Sequence, residues 1–178
     1  MAVSVSTILT AAVRRLWRSV TTLPDAGGWR FSAIVGGIVL AAMAAVGFSG
    51  GLYRFGPASL AGLPLRLVSV VFVPALSEEA AFRGLLVPDR SETSRPFAAI
   101  VIVTAIFTLL HVVETLFLRH AAPMFLRADF LACAAILGAG CAVIRWRTGS
   151  LWPAVALHWL VVVVWETWLG GPDLAALQ

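Results

Sequence analysis

The chain has no lysine, and it has only two cysteines and one tyrosine among 178 residues. Charged residues make up 12% of it, about half the share found in soluble domains. Each shortage excludes something. So little charge, with 60% hydrophobic residues and a mean hydropathy of +0.94, excludes a water-soluble domain, because the apolar excess has to face lipid. All 13 basic residues are arginines spread over connecting segments, so the sequence pI of 10.4 does not point to nucleic acid. Cys133 and Cys141 share one apolar run. About 12 Å of helix would separate them, which excludes a disulfide and leaves them as small buried fillers. There is no cysteine cluster of the metal-binding kind and no HExxH pair. The first apolar block is interrupted by Arg14, Arg15 and Arg18, so no cleavable signal is expected.

What is present is a series of apolar runs. Residues 3–20 alternate apolar and basic positions at helical spacing, with Ile8, Leu9, Ala12, Val13, Leu16 and Trp17 against Arg14, Arg15 and Arg18. That pattern predicts an amphipathic helix lying in the membrane interface. Spans are predicted over about 31–48, 65–87, 97–118, 128–144 and 152–169. Ala33, Gly37, Ala41 and Ala45 form a small-residue seam in the first, suited to close helix approach. Pro74 predicts a kink or break in the second, after which Ser77 could cap a new helical start. Residues 145–150 read as a polar turn, and Trp152, Trp165 and Trp168 as interfacial anchors. Eight arginines fall on the N-terminal side of the membrane and four on the other, which predicts a cytoplasmic N-terminus. The expected fold is all-α: a polytopic helical membrane protein with about five transmembrane helices. Residues 1–28 form its interfacial segment and 29–178 its transmembrane domain.

Against this background the pair Glu78-Glu79 stands out. An acidic side chain at membrane depth costs about 2.5–3.5 kcal/mol on insertion scales, so such residues mark function. Glu79 and Arg83 are one turn apart and can pair on one helix face. Glu78 has no such partner in its own helix, which makes it a candidate general base or acid. Phe107 and His111 share a face, and Glu114, one turn further on, could orient the imidazole. His158 lies in the last apolar run; His120 lies in a loop and receives no role. Carboxylates and imidazoles buried together are the ingredients of acid–base chemistry. Read blandly, each histidine is a packing residue and the Glu–Arg pair a structural cluster.

Three patterns, E-E-x-x-x-R at Glu78–Arg83, F-x-x-x-H at Phe107–His111 and H-x-x-x-V at His158–Val162, fall in order on separate runs. Together with Thr148-Gly149-Ser150-Leu151-Trp152-Pro153, this resembles the CAAX-protease and bacteriocin-processing (CPBP, or Abi) family of intramembrane proteases over residues 65–168. The resemblance implies a helical membrane fold with a water-accessible cavity. It implies catalytic roles for Glu78, Glu79, His111 and His158, with Arg83 and Phe107 in support. Glu78 with His111 would activate water, and His158 would stabilise the oxyanion. Val162 departs from the family, which has Asn or Asp there; Glu166, two turns past His158, could donate in its place only if protonated. The implied partners are the bilayer and a membrane-anchored peptide or protein, with no cofactor. Bacterial members process bacteriocins, sorting signals or regulators, so the expected location is a bacterial inner membrane. Two other readings compete. One is a zinc protease using Glu78, His111 and His158 as ligands. The other is a non-catalytic immunity or scaffold protein.

Overall fold

A computed structural model describes residues 5–56, 60, 62–117 and 123–172, and their regular structure is helical throughout. Arg119, His120 and the Ile8 side chain fall outside this description. The elements are α1 (Val5–Thr21), α2 (Ala26–Gly50), α3 (Leu63–Val70), α4 (Ser77–Glu79), α5 (Phe97–Phe117), α6 (Ala128–Thr148) and α7 (Trp152–Trp168). Wide π-type turns over Val71–Leu76 and Ala80–Gly84 flank α4. Three helices, α2, α5 and α6, are long and apolar enough to cross a membrane.

The central element is α6, and its composition explains why. Small side chains at Cys133, Ala134, Gly138, Cys141 and Ala142 are buried and let α2, α5 and α7 close around it. The outward faces stay apolar: Ile34 and Ile38 of α2, and Ile102, Leu109 and Phe117 of α5, are all exposed. Both thiols are buried and free, as the spacing requires.

Several elements differ from expectation. The seam of Ala33, Gly37, Ala41 and Ala45 faces outward, and α2 instead buries Ser32, Gly36, Val39, Met43 and Gly47. The packed stripe carries Val39 and Met43 because it must fill the space beside small α6 residues. The break beside Pro74 occurs at Val73, the one non-helical residue there (φ −136°, ψ 114°). Pro74 therefore opens the new helix, and Ser77 sits inside it, donating to Pro74 O rather than capping. Residues 145–148 continue α6, and the turn comes at Gly149 with φ 70°. Arg145, expected in that turn, is fully buried 4.0 Å from Asp89. Trp165 is a core residue, not an anchor, at 6% exposure.

The helix α1 presents Leu9, Val13 and Trp17 outward and turns Arg15 and Arg18 toward the protein. Arg15 pairs with Glu92 (2.8 Å) and donates to Leu85 O, while Arg18 pairs with Glu92 (2.8 Å) and Asp89 (3.4 Å). These contacts clamp the loop that follows the Glu78 segment. Burial opposes the Asp89 charge, but Ser91 hydrogen bonds, then Arg18 and Arg145, outweigh it and hold the carboxyl below its ordinary range. Burial also opposes the Glu92 charge, and Arg15 with the Asp89 amide outweighs it in the same direction. Two depressed carboxyls stabilise the folded state above their unfolded values, near pH 4, and lose that contribution as the pH falls through the folded ones. Acidifying the protein from pH 7 to below 4 should therefore release α1, read as faster amide hydrogen exchange over residues 5–21. Exchange that is flat across this range would show that the ion pairs do not hold the helix.

Candidate active site

The kink at Val73 and the α4 segment aim two consecutive carboxylates in different directions. Glu79 is fully buried. Its Oε1 lies 3.1 Å from Arg83 Nη1 and accepts a hydrogen bond from His158 Nδ1 at 2.9 Å. The i,i+4 spacing brings Glu79 and Arg83 together, as the sequence requires. Glu78, rotated by about 100°, keeps its side chain 27% exposed and places Oε2 3.8 Å from His158 Nε2. His158 thus bridges the two glutamates with its two ring nitrogens. A carboxylate can only accept, so Nδ1 carries the proton given to Glu79.

Phe107 is the hub of the arrangement and is 2% exposed. The Arg83 guanidinium lies 4.2 Å above its ring centroid, a cation–π contact that spreads the buried charge. Its edge-to-face neighbours are His111 at 4.9 Å and Phe82 at 5.2 Å, with His158 at 6.2 Å. Arg83 fits here because Gly138 of α6 faces it: a Cβ on Gly138 would come within 2.9 Å of Arg83 Nη2 and 3.1 Å of Phe107.

His111 is oriented by its own helix. Its Nδ1 donates to Phe107 O at 2.9 Å, which leaves Nε2 as the acceptor nitrogen. The partner that fixes this ring is thus a carbonyl one turn back, while Glu114 lines the same cavity as His111.

Glu78, His111 and His158 line one cavity of about 90 Å³, enough for several water molecules. Glu79 and Arg83 lie behind it, buried against His158 and Phe107. Apolar side chains, among them Met43, Phe125, Phe130 and Leu137, make up most of the remaining wall. Val162 is buried and lines the cavity. Glu166 pairs instead with Arg66 at 3.1 Å. Among the described residues, no three His, Cys, Asp or Glu side chains are placed to hold a metal ion.

Two cavity residues were not singled out for this site from sequence. Tyr53, the sole tyrosine, follows a glycine-rich turn yet is 7% exposed. It packs so closely over Gly47 that a Cβ there would lie 2.2 Å from its ring. Trp165 reaches the same wall from α7. The signal available was periodicity: Trp165 is seven residues past His158 and so lies on nearly the same helix face.

No curated protein and no solved structure matches the chain. A family model does, over residues 58–164, well over half of the chain and all three motif segments. That match, on a helical bundle with three helices fit to cross a membrane, makes this an integral membrane protein of a protease family: the chain belongs to the Rce1-like type II CAAX prenyl endopeptidases.

Proposed function

We propose that the protein is an intramembrane endopeptidase that hydrolyses a peptide bond in a membrane-anchored peptide or protein. The observation that carries this reading is the placement of Glu78 and two imidazoles around a water-sized cavity, with Glu78 Oε2 3.8 Å from His158 Nε2. Glu78, assisted by His111 Nε2, takes a proton from a cavity water as the water oxygen bonds to the scissile carbonyl carbon. The C–N bond then breaks, and the proton passes from Glu78 to the leaving amine. His158, when its ring carries both protons, donates from Nε2 to the oxyanion while Nδ1–H remains on Glu79. Glu79 and Arg83 position His158 and do not meet the substrate.

The substrate class to try first is a prenylated CAAX peptide, since the family carries that name. A cleavage assay in proteoliposomes comparing wild type with Glu78→Ala tests the proposal. Cleavage that is equal in the two would overturn it. A zinc site of Glu78, His111 and His158 finds no support in the geometry. One ring nitrogen of each histidine is already committed, and the three do not form a ligand group.

The same reading sets the topology. Contacts at one end join α1, residues 89–93, Trp146 and Trp152. Contacts at the other join Gly50 to Arg127, Arg54 to Leu169 and Arg66 to Glu166. The chain runs between these ends five times, through α2, residues 63–86, α5, α6 and α7, which supports five spans. The first end carries the arginine excess and is the cytoplasmic one. At that end α1 lies in the interface, with Leu9, Val13 and Trp17 toward lipid. The membrane is a bacterial inner membrane.

Val162 lies one turn past His158 on the cavity wall, so an amide there would have the oxyanion within reach. Val162→Asn should fold and should raise turnover. The ceiling is what one such donor contributes, about 10²–10³-fold. A well-folded Val162→Asn protein without activity would show that the wall must be apolar at that point.

A further inference from the structure

The chain has seven tryptophans, and their indole N–H groups are treated differently. Trp146 donates to Thr93 O (3.0 Å), Trp152 to Val20 O (2.9 Å) and Trp159 to Leu67 O (2.9 Å). Trp17, Trp29 and Trp168 are exposed. Trp165 alone is both buried, at 6% exposure, and without an acceptor for Nε1. An indole nitrogen can only donate, and a buried donor left unsatisfied costs about 1–3 kcal/mol. Its ring lines the cavity that holds Glu78, His111 and His158.

We propose that the Trp165 indole N–H binds a backbone carbonyl oxygen of the substrate peptide, and so sets the register in which the chain lies across Glu78. This rests on the protease reading above and adds a substrate-binding residue to it. Trp165 follows His158 by seven residues on α7, about 10 Å along the helix axis. It therefore lies too far along to meet the reacting carbon. In an extended peptide the same distance spans about three residues, so the carbonyl it receives is some three residues from the scissile bond.

The surroundings select a neutral oxygen over a charged one. Glu78 and Glu114 both line this cavity. The nearby guanidinium of Arg83 is already engaged by Glu79 and the Phe107 ring. A peptide C-terminal carboxylate would meet like charge without a free cation, whereas a backbone carbonyl asks only for the one donor that Trp165 has to give. The other polar group at this end of the cavity, the Tyr53 hydroxyl, is hydrogen-bonded to Cys133.

The test uses full-length protein in proteoliposomes, in a Glu78→Gln background so that bound peptide is not consumed. The probe is a fluorescent prenylated CAAX peptide, prepared with a free C-terminal carboxylate and as the carboxamide. Trp165→Phe removes the N–H and keeps an aromatic ring against Phe130, now 5.7 Å away. The expected result is a Kd raised roughly two- to tenfold by the same factor for both peptides, with the thermal midpoint of the peptide-free protein unchanged or higher. Equal affinity with and without the indole N–H would overturn the inference while leaving the protease reading in place. A lowered thermal midpoint would overturn it too, because it would mean that the N–H already has a partner within the protein. A rise confined to the carboxylate form would reassign the donor to the chain terminus and overturn the backbone assignment. Peptide bound by neither protein would overturn the substrate class, and this inference with it.

Discussion

Replacing Glu78 by glutamine should leave a folded protein whose hydrolytic activity falls by about 10²–10⁴-fold, the usual contribution of a positioned general base. The amide matches the carboxylate in shape and can still occupy the space beside His158, but it cannot take a proton from water. The structure separates the chemical effect from folding. Glu78 has a partly exposed side chain and faces His158 at 3.8 Å, outside hydrogen-bonding distance, whereas the packing of this region is carried by its neighbour Glu79. The thermal midpoint of Glu78→Gln in detergent should therefore stay close to wild type while turnover collapses. A variant that loses both together would mean that Glu78 is a structural member of the cluster.

Arg83→Ala should act in the opposite sense, through the fold. Arg83 and Glu79 are both fully buried, 3.1 Å apart, and Glu79 in turn holds His158. Deleting the guanidinium leaves a carboxylate without its charge partner in an apolar setting, a change that costs about 3–5 kcal/mol. It also empties the space between Gly138 and the Phe107 ring. The expected outcome is a lower yield of folded protein and a thermal midpoint several degrees down, with activity lost alongside. Arg83→Lys should recover only part of this, because an ammonium cannot lie flat on the ring while reaching Glu79. A fully folded and fully active Arg83→Ala protein would show the pair to be dispensable.

How far the sequence speaks for itself differs from residue to residue, and the differences have physical causes. Local spacing was legible. Four residues between Glu79 and Arg83, and between Phe107 and His111, fix which side chains share a helix face, and both pairs meet. The five apolar runs translate into the helical stretches with small shifts at their ends. Questions of which face packs inward were not legible on α2. Small residues mark two different stripes there, and the choice between them depends on what α6 presents, which no local rule reports. Ser77 was placed at a cap because the break was put after Pro74, whereas proline itself starts the new helix once Val73 leaves helical geometry. Arg145 looked like turn chemistry in Arg-Trp-Arg-Thr-Gly, but α1 and Asp89 fold over it from remote parts of the chain. Trp165 looked like a membrane anchor by residue type. Its burial against Phe130 and the cavity is a tertiary fact. Glu166, one residue on, is turned to Arg66 for the same reason.

The central claim is that a glutamate, and no metal, activates the attacking water. The most direct measurement is cleavage of a prenylated CAAX peptide by purified protein in proteoliposomes, run with and without a strong divalent-metal chelator, for wild type and Glu78→Gln side by side. The account predicts wild-type cleavage that is unchanged by the chelator and lost in Glu78→Gln. Cleavage abolished by the chelator and restored by added zinc, or cleavage retained in a folded Glu78→Gln protein, would contradict it.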